Sequence, residues 1–334
     1  KIENYFLKKL FATNRFNIHL ISFATEDIKA EIDLDESEIP NTIYYYTWQG
    51  VRGKVMKLFN AYGKLNVWSK GAGLTSPYYT SKVVSKMKQL KNEGYSPDVI
   101  IFQWTEIATM MEEAKKIFPN AKTVMIEEDV SFLGHSRKAA AAAGIRKQFL
   151  EYKANRIKSR EIELLDAADM IVLNNHKDEK LILNDIRDPK KIWVWCPFYQ
   201  SMLNHPRKKA NKDILFYGAL SRQENWKSAV WFLDNVWPHI MDPDARYVML
   251  GSNPPDVLKK YQSDRVIITG FVDDIAPYFE NSLCLAAPLV LGAGVKIKVL
   301  EGLSSGIPVL TNDIGIEGIP AVDQKDYFHC VTAQ

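Results

Sequence analysis

The stretch that decides the fold is residues 287–318, APLVLGAGVKIKVLEGLSSGIPVLTNDIGIEG. Its pattern predicts, in order, the end of a strand, a glycine loop, a helix that begins near Val295, a short turn, a buried strand and a second glycine loop. The turn is marked by Gly306-Ile307-Pro308, because glycine and proline interrupt helical structure. This succession predicts one unit of a parallel sheet that is covered by helices.

The first glycine loop has the properties of an anion-binding site. Gly292 and Gly294 let the backbone approach a ligand closely, and a helix N-terminus has unpaired N–H groups and a partial positive charge. Lys296 and Lys298 follow in the helix. Glu301 lies three residues after Lys298, so both are predicted on one face. Such a face could hold a diphosphate at its start and sugar hydroxyls one turn further along.

This block resembles the donor-binding segment of GT-B glycosyltransferases, in particular glycosyltransferase family 4, the glycosyl transferases of group 1. In that family a glycine loop, a helix with a glutamate and a G-x-P-V strand hold the nucleotide of a nucleotide sugar. The matching residues here are Gly292, Gly294, Lys298, Glu301 and Gly306-Ile307-Pro308-Val309.

The resemblance continues upstream to about Asp213. Asp213–Gly218 is a short apolar strand that ends in glycine, and the turn after it, residues 219–225, lies beside the donor diphosphate in the family. Further strands are predicted at Tyr247–Gly251, Val266–Gly270 and Leu283–Pro288, with a helix at 226–236. Strands and helices that alternate at this spacing predict a parallel sheet with helices on both faces.

The N-terminal half is also predicted to be α/β. Strands are expected at 17–23, 42–47, 99–103, 123–126, 170–173 and 193–196, and helices at 80–93, 105–117, 144–168 and 176–183. The resemblance implies two Rossmann-like domains that face each other across a cleft. We predict an acceptor-side domain over residues 1–200 and a nucleotide-sugar domain over 201–334, joined by a linker at Pro197–Lys212. Both termini look truncated relative to the family's domains.

Composition agrees with this organisation. A chain of 334 residues with 46% hydrophobic residues can bury two cores. The net charge of +3 is too small to indicate a nucleic-acid partner. The three cysteines, Cys196, Cys284 and Cys330, are widely spaced and fit neither a disulfide framework nor a metal site. No apolar run has the length of a membrane span and no signal peptide is visible, which predicts a cytoplasmic protein.

Three features of the N-terminal half could carry chemistry. Glu128 and Asp129 end a strand, where parallel sheets place functional loops, and a carboxyl group there could have a raised pKa. In the family this place often reads His-Asp; Asp129 fits the second position, and Glu128 stands where the histidine would be. His135 could donate to an acceptor or to a phosphate. Residues 137–160, with eight Lys/Arg and one acid, could contact the inner membrane face or an anionic acceptor. Each feature has a structural alternative, a solvated loop or helix face.

The resemblance implies a mechanism with retention of anomeric configuration, without a metal and without a cofactor beyond the nucleotide-sugar substrate. Lys298, Lys296 and Arg222, with the backbone at Gly294–Val295, would stabilise the leaving diphosphate. Glu301 would hold the ribose hydroxyls. Gly218 and Asn225 belong to the donor turn. Catalytic candidates are therefore Lys298, Arg222, Asp129, Glu128 and His135, and donor-binding candidates are Gly218, Asn225, Gly292, Gly294, Val295, Lys296 and Glu301.

Two positions depart from the family pattern. The family's first glutamate, eight positions before the second, is replaced by Ala293, which suits a deoxy sugar such as rhamnose or fucose. Ala219 stands where an arginine commonly follows the glycine of the donor turn. The sequence therefore predicts a glycosyltransferase of glycan or polysaccharide biosynthesis, with a saccharide, lipid-linked or protein-linked acceptor. A GT-B sugar-nucleotide epimerase and a non-catalytic, partner-binding GT-B subunit remain alternatives.

Overall fold

The computed structural model describes residues 2–26, 29, 39–195, 199 and 201–333. It divides the chain into two compact units, the first made of residues 1–173 and 182–198 and the second of residues 174–181 and 199–334. The short segment 174–181, which lies in the N-terminal half of the sequence, thus belongs to the second unit. Of the predicted linker, residues 197, 198 and 200 lie outside the described residues, as does Cys196.

The first unit contains two parallel sheets. Its elements begin with α1 (Ile2–Ala12), β1 (Leu20–Thr25), β2 (Asn41–Tyr46), α2 (Gly50–Leu65), α3 (Pro77–Asn92), β3 (Val99–Gln103), α4 (Thr105–Ala108) and α5 (Met111–Ile117). They continue with β4 (Lys122–Glu127), α6 (Ser131–Ala140), α7 (Gly144–Ala167), β5 (Met170–Leu173) and β6 (Ile192–Val194). Strands β1 and β2 pair with each other, and the other four form a sheet in the order β3-β4-β5-β6. Helix α8 (His176–Ile182) leads out of β5, and residues 176–181 belong to the second unit.

The second unit is built on one parallel sheet of six described strands. Its elements are β7 (Asp213–Tyr217), α9 (Gln223–Asn235), β8 (Arg246–Leu250), α10 (Asp256–Lys259), β9 (Val266–Gly270), α11 (Ala276–Asn281), β10 (Cys284–Ala287), α12 (Ile297–Ser305), β11 (Val309–Thr311), α13 (Asp313–Ile316) and β12 (Phe328–His329). The strand order is β12-β11-β10-β7-β8-β9. Consecutive residues Leu215 and Phe216 are both fully buried, in separate clusters on the two faces of the sheet. Apolar residues on both faces explain why these strands read as continuous hydrophobic runs.

Most element types match the sequence-based expectations, and the strands 99–103 and 170–173 match them to the residue. Three differences matter. The predicted helix 105–117 is two helices, because the Thr109 hydroxyl donates to the carbonyl of Glu106 at 2.6 Å, a bond that bends helices. Helix α12 begins at Ile297, two residues later than expected. The sequence analysis placed no element at Gly50–Leu65, which forms α2.

Candidate active site

The end of β7 and the turn after it form the first part of the candidate site. Gly218, directly after β7, has a φ of +147°, which favours glycine. A Cβ atom at this position would lie 2.7 Å from the ammonium nitrogen of Lys298 and 2.9 Å from the amide nitrogen of Asn225. The missing side chain therefore leaves the space in which these two groups meet. Two loops that are distant in sequence are joined here, as the resemblance implied.

Lys298 is the centre of this cluster. Its ammonium donates to Asn225 Oδ1 at 2.6 Å, and the Asn225 amide nitrogen donates to the carbonyl of Ala219 at 2.8 Å. The same ammonium lies 4.6 Å from the centroid of the Phe216 ring, a distance typical of a cation–π contact. The donor turn and helix α12 are thus tied together through one lysine.

The charges around Lys298 are unbalanced. Protein atoms surround its ammonium, and this burial lowers the pKa of Lys298 to about 7. The cations of Arg222 and Lys296 lower that pKa further, while the carboxylates of Glu301 and Glu224 raise it. A lysine whose charge is opposed by neighbouring cations lies in a positive potential. An anionic group that entered this space would favour the charged form of Lys298.

Lys296 holds the glycine loop. It occupies the N-cap position of α12, and its ammonium donates back to the carbonyl of Ala293 at 3.0 Å and to that of Gly294. Gly292 and Gly294 have φ values of +132° and +70°, which let the loop curl around this side chain. These bonds give Lys296 a part in shaping the loop, and its contact with a leaving diphosphate stays a prediction.

Glu301 is fixed by a tyrosine that the sequence analysis did not consider. The residue is only 5% exposed, and the hydroxyl of Tyr217, the last residue of β7, is hydrogen-bonded to its carboxylate. Burial and the charge of Glu301 raise the pKa of Tyr217 to about 12, so this hydroxyl keeps its proton. Glu301 therefore does not lie on a solvated helix face. Its bond to Tyr217 was not foreseen because strand and helix are far apart in sequence.

The second glycine loop contributes a further carboxylate, Glu317. Its two oxygens lie 3.2 Å from the ammonium of Lys177 on α8 and 3.9 Å from that of Lys296. A Cβ at Gly318, where φ is +76°, would lie 3.1 Å from Asn175 Cγ and 3.2 Å from Val295 Cγ2. Segment 174–181 thus packs against both glycine loops within the second unit. The glycines around Glu317 were the one sequence signal for it.

The three catalytic candidates of the N-terminal half lie in the first unit. Glu128 accepts a hydrogen bond from Gln103 Nε2 at 2.7 Å. Burial raises the pKa of the carboxyl groups of Glu127 and Glu161, and the negative charge of Asp129 raises both pKa values further. Burial, with the cations of Lys153 and Lys138, lowers the pKa of His135 to about 4. His135 is consequently neutral at pH 7 and offers a phosphate no cation.

A buried carboxyl pair lies directly behind Glu128 and Asp129. The Thr105 hydroxyl oxygen is 2.8 Å from Glu127 Oε1, 3.0 Å from Glu161 Oε1 and 2.6 Å from the Ser131 hydroxyl. Three such contacts need three hydrogens, and the two hydroxyl groups supply only two. A carboxyl group must supply the third, so the pair holds at least one proton. Glu161 also accepts from the backbone N–H groups of Ser131 and Phe132 at 2.7 and 2.9 Å, which leaves Glu127 as the neutral member.

The basic run 137–160 is largely engaged within the first unit. Lys153 is buried and donates to the carbonyl of Lys64 at 2.8 Å. Arg160 pairs with Glu112 at 2.7 Å, and Lys158 pairs with Asp185 at 2.9 Å. The predicted basic face for a membrane is therefore partly used to hold neighbouring elements together. Its contact with a membrane stays a prediction.

In the part of the chain that the structure describes, no group of three or more His, Cys, Asp or Glu residues could hold a metal ion. Among the described helices, none combines the length and the apolar composition needed to cross a bilayer.

Comparison with known proteins places these features among relatives. Residues 211–332 match the family model described as glycosyl transferases group 1. An uncharacterized 44.6 kDa protein in the cps region of Klebsiella pneumoniae is 26% identical over 163 residues, which cover 44% of this chain and 42% of that protein. The matched part is thus less than half of that relative's length.

Solved structures share the fold over most of the chain. HepE of Anabaena superposes with a TM-score of 0.60 at 13% identity. The match covers 96% of this chain and 87% of the HepE chain. TarM of S. aureus superposes with a TM-score of 0.53 at 14% identity, over 73% of this chain and 47% of its own. At such identities the likeness concerns the fold.

Proposed function

We propose that this chain transfers a sugar from a nucleotide sugar to a glycan-type acceptor, because it has the GT-B fold and its residues 211–332 match the model of the glycosyl transferases group 1. The observation that carries this proposal is the cluster at Lys298. The absence of a side chain at Gly218 lets this ammonium approach the end of β7, and burial, together with neighbouring cations, lowers its pKa to about 7. A diphosphate is the kind of anion that this potential favours, and the N-terminus of α12 adds unpaired N–H groups.

The donor would be held at two points of the second unit. The diphosphate would lie against Gly218 and the ammonium of Lys298, with Arg222 at the N-cap of α9 supplying a second cation. The ribose hydroxyls would donate to Glu301, whose carboxylate is kept in place by Tyr217. Charge-assisted hydrogen bonds of this kind contribute about 1.5–3 kcal/mol each.

Catalysis would come from stabilising the leaving group. Negative charge grows on the diphosphate as the glycosidic bond to the sugar breaks, and a cation fixed beside it lowers the barrier. Lys298 would carry its proton in this state, because the diphosphate counteracts the burial that lowers its pKa. With these cations in place no metal is needed. Retention of configuration is the outcome that the resemblance to family 4 implies.

Several relatives support the choice of substrate class. HepE is solved in complex with UDP and glucose, and with UDP-glucose. A mutant of S. aureus TarM is solved in complex with fondaparinux, alpha-GlcNAc-glycerol and UDP. The Klebsiella relative is encoded in a cps region. We therefore place the reaction in glycan or polysaccharide biosynthesis, with UDP sugars as the first donors to test and the deoxy-sugar donors dTDP-rhamnose and GDP-fucose next.

A panel of nucleotide sugars tests the proposal. The protein is incubated with each donor in EDTA, binding is read by calorimetry and slow donor hydrolysis by chromatography. We expect one donor to bind and to hydrolyse slowly without metal. Nuclear magnetic resonance should show that the sugar is first released in the same anomeric configuration that it has in the donor. Interconversion of two donors would indicate an epimerase, and failure of every donor to bind would indicate a partner-binding subunit. Turnover that is lost in EDTA and restored by Mg²⁺ or Mn²⁺ would contradict the metal-free site.

A further inference from the structure

Helix α2 of the first unit has its apolar residues on the solvent side. Val51, Leu58 and Leu65 are 78%, 70% and 60% exposed, and Val55 and Tyr62 are exposed as well. The intervals between these five positions are four, three, four and three residues, which is the spacing of one helix face. A surface helix ordinarily turns such a face toward the core. In α2 the face is directed away from the protein.

The orientation of α2 is fixed by its opposite face. Gly53, Met56 and Gly63 are its buried residues. A Cβ at Gly53 would lie 2.1 Å from the backbone carbonyl carbon of Trp48, and one at Gly63 would lie 2.8 Å from Ser76 Cα. These contacts leave no room for a side chain at either glycine, so α2 packs closely through the face that carries Gly53, Met56 and Gly63. The apolar row lies on the opposite, exposed face.

Helix α2 and the residues that flank it over 39–92 are rich in basic side chains. Residues 39–92 contain nine Lys/Arg and no Asp or Glu, whereas 40 acids in 334 residues would place about six in a stretch of this length. On α2 itself Arg52 and Lys54 lie on either side of the apolar row, and Lys57 and Lys64 follow on the polar face. Among the described residues none of these four cations takes part in an ion pair within 4.0 Å.

We propose that α2 lies on the surface of an anionic lipid bilayer, with its apolar row between the acyl chains and its cations at the headgroups. A helix with an apolar row and flanking Lys/Arg is the pattern of an interfacial helix. Trp68, 70% exposed just beyond α2, is an aromatic residue of the kind found at membrane interfaces. A lipid bilayer has no pockets and is uniform along its surface, so it can accommodate a single row of apolar side chains. This surface, and not residues 137–160, is then the membrane contact.

Vesicle co-sedimentation tests this contact, with phosphatidylcholine vesicles that contain or lack phosphatidylglycerol. The parent is expected to bind only when phosphatidylglycerol is present. Leu58→Gln combined with Leu65→Gln should lower the partition coefficient at least tenfold. Lys54→Gln combined with Lys57→Gln should lower it about ten- to thirtyfold, since each cation near an anionic surface contributes about 1 kcal/mol. All four positions are exposed, and an unchanged thermal midpoint checks that the variants fold.

The matched control lies in the basic run of α7. Arg146→Gln combined with Lys147→Gln removes two exposed cations outside α2 and is expected to change binding less than twofold. The proposal is overturned if the parent does not bind anionic vesicles, which is the result expected if α2 binds an acidic protein instead. It is also overturned if the α2 variants bind like the parent, or if binding is lost through Arg146 and Lys147 alone. No donor or acceptor is used, so the result is independent of the proposed activity.

Discussion

The donor cluster of the second unit and the carboxyl cluster of the first unit both lie where parallel strands end, but they use their polar groups differently. At Gly218 the absent side chain makes room for the ammonium of Lys298 and the amide of Asn225, and burial, together with neighbouring cations, lowers the pKa of that lysine. At the end of β4 the carboxyl groups of Glu127 and Glu161 are completely buried and bind Thr105, Ser131 and the start of α6.

The difference separates the proposed binding site from a scaffold. The positive potential at Lys298 can be balanced by a ligand, so the energy of that site changes when an anion binds. The hydrogen bonds of Glu161 are already directed at its own unit, so this cluster stabilises the loop that carries Glu128 and Asp129. Variants that affect binding in one cluster and stability in the other would sharpen this distinction.

Lys298 should show the largest effect. Replacing Lys298 by methionine removes the cation beside Gly218 but keeps an unbranched side chain. We expect kcat to fall about 100- to 1000-fold, as for other groups that stabilise charge in a transition state, and UDP affinity to fall less. Lys260→Met, at an exposed position on a loop of the same unit, is the control and should behave like the parent. A Lys298→Met protein with parental kcat would remove the donor cluster from catalysis.

The pH dependence of binding reports on the same lysine. With a pKa of about 7, Lys298 is mostly neutral at pH 8 and mostly charged at pH 6 before ligand binds. Because a diphosphate favours the charged form, binding should take up nearly one proton at pH 8 and little at pH 6. Affinity should accordingly fall as pH rises above 7. Calorimetry in two buffers of different ionisation enthalpy measures the uptake, and Lys298→Met should abolish it.

Glu301 should give the next largest effect. Glu301→Gln keeps the volume beside Tyr217 but removes the charge proposed to accept from the ribose. We expect UDP affinity to fall about ten- to a hundredfold, the equivalent of one charge-assisted hydrogen bond. Tyr217→Phe, which only releases the carboxylate, should cost less. Glutamine is preferred to alanine because Glu301 is buried and truncation would also open a cavity. Binding within twofold of the parent would place the ribose elsewhere.

The backbone of the candidate donor site leaves a clearer signal in the sequence than the acceptor side does, for a physical reason. Gly218, Gly292 and Gly294 need positive φ values, and such backbone requirements are visible as glycines in the sequence. The resemblance built on them is confirmed by the family model over residues 211–332. The bond between Tyr217 and Glu301 could not be predicted, because it joins a strand and a helix that only the folded chain brings together.

Helix α2 and the carboxyl pair escaped the sequence analysis for other reasons. Gly50, Gly53 and Gly63 lower the helix propensity of α2, so the sequence analysis placed no element there. Glu128 and Asp129 were expected to carry chemistry at a strand end, where one carboxyl group could have a raised pKa. In the structure Glu127 is buried and shares the Thr105 hydroxyl with Glu161. Glu161 lies on helix α7, and no local sequence pattern indicates that it is the partner of Glu127.

The carboxyl pair should show the smallest effect, and only on stability. Its pKa values are raised by burial, that of Glu161 to about 7 from an ordinary 4.5, so the unfolded chain loses these protons first as pH rises. The contribution of the pair to the free energy of unfolding is complete below pH 4.5 and declines as pH rises through 7. Glu127→Gln supplies a permanent donor in place of the shared proton, so at pH 8 it should raise that free energy by about 1–2 kcal/mol.

Glu161→Gln is the matched variant. It replaces a carboxylate oxygen, which accepts a hydrogen bond from the backbone N–H of Ser131 or Phe132, with an amide NH2 group that cannot accept one. The variant should therefore lower the free energy of unfolding by about 1–3 kcal/mol. Urea unfolding at pH 5 and pH 8 measures both variants. At pH 8 we expect Glu127→Gln to raise the free energy of unfolding and Glu161→Gln to lower it. The UDP affinity of both variants should be unchanged, because a scaffold that holds its proton on Glu127 affects stability alone. If Glu127→Gln destabilises the protein at pH 8 as much as Glu161→Gln does, the proton is not on Glu127 and the contrast between the two clusters is lost.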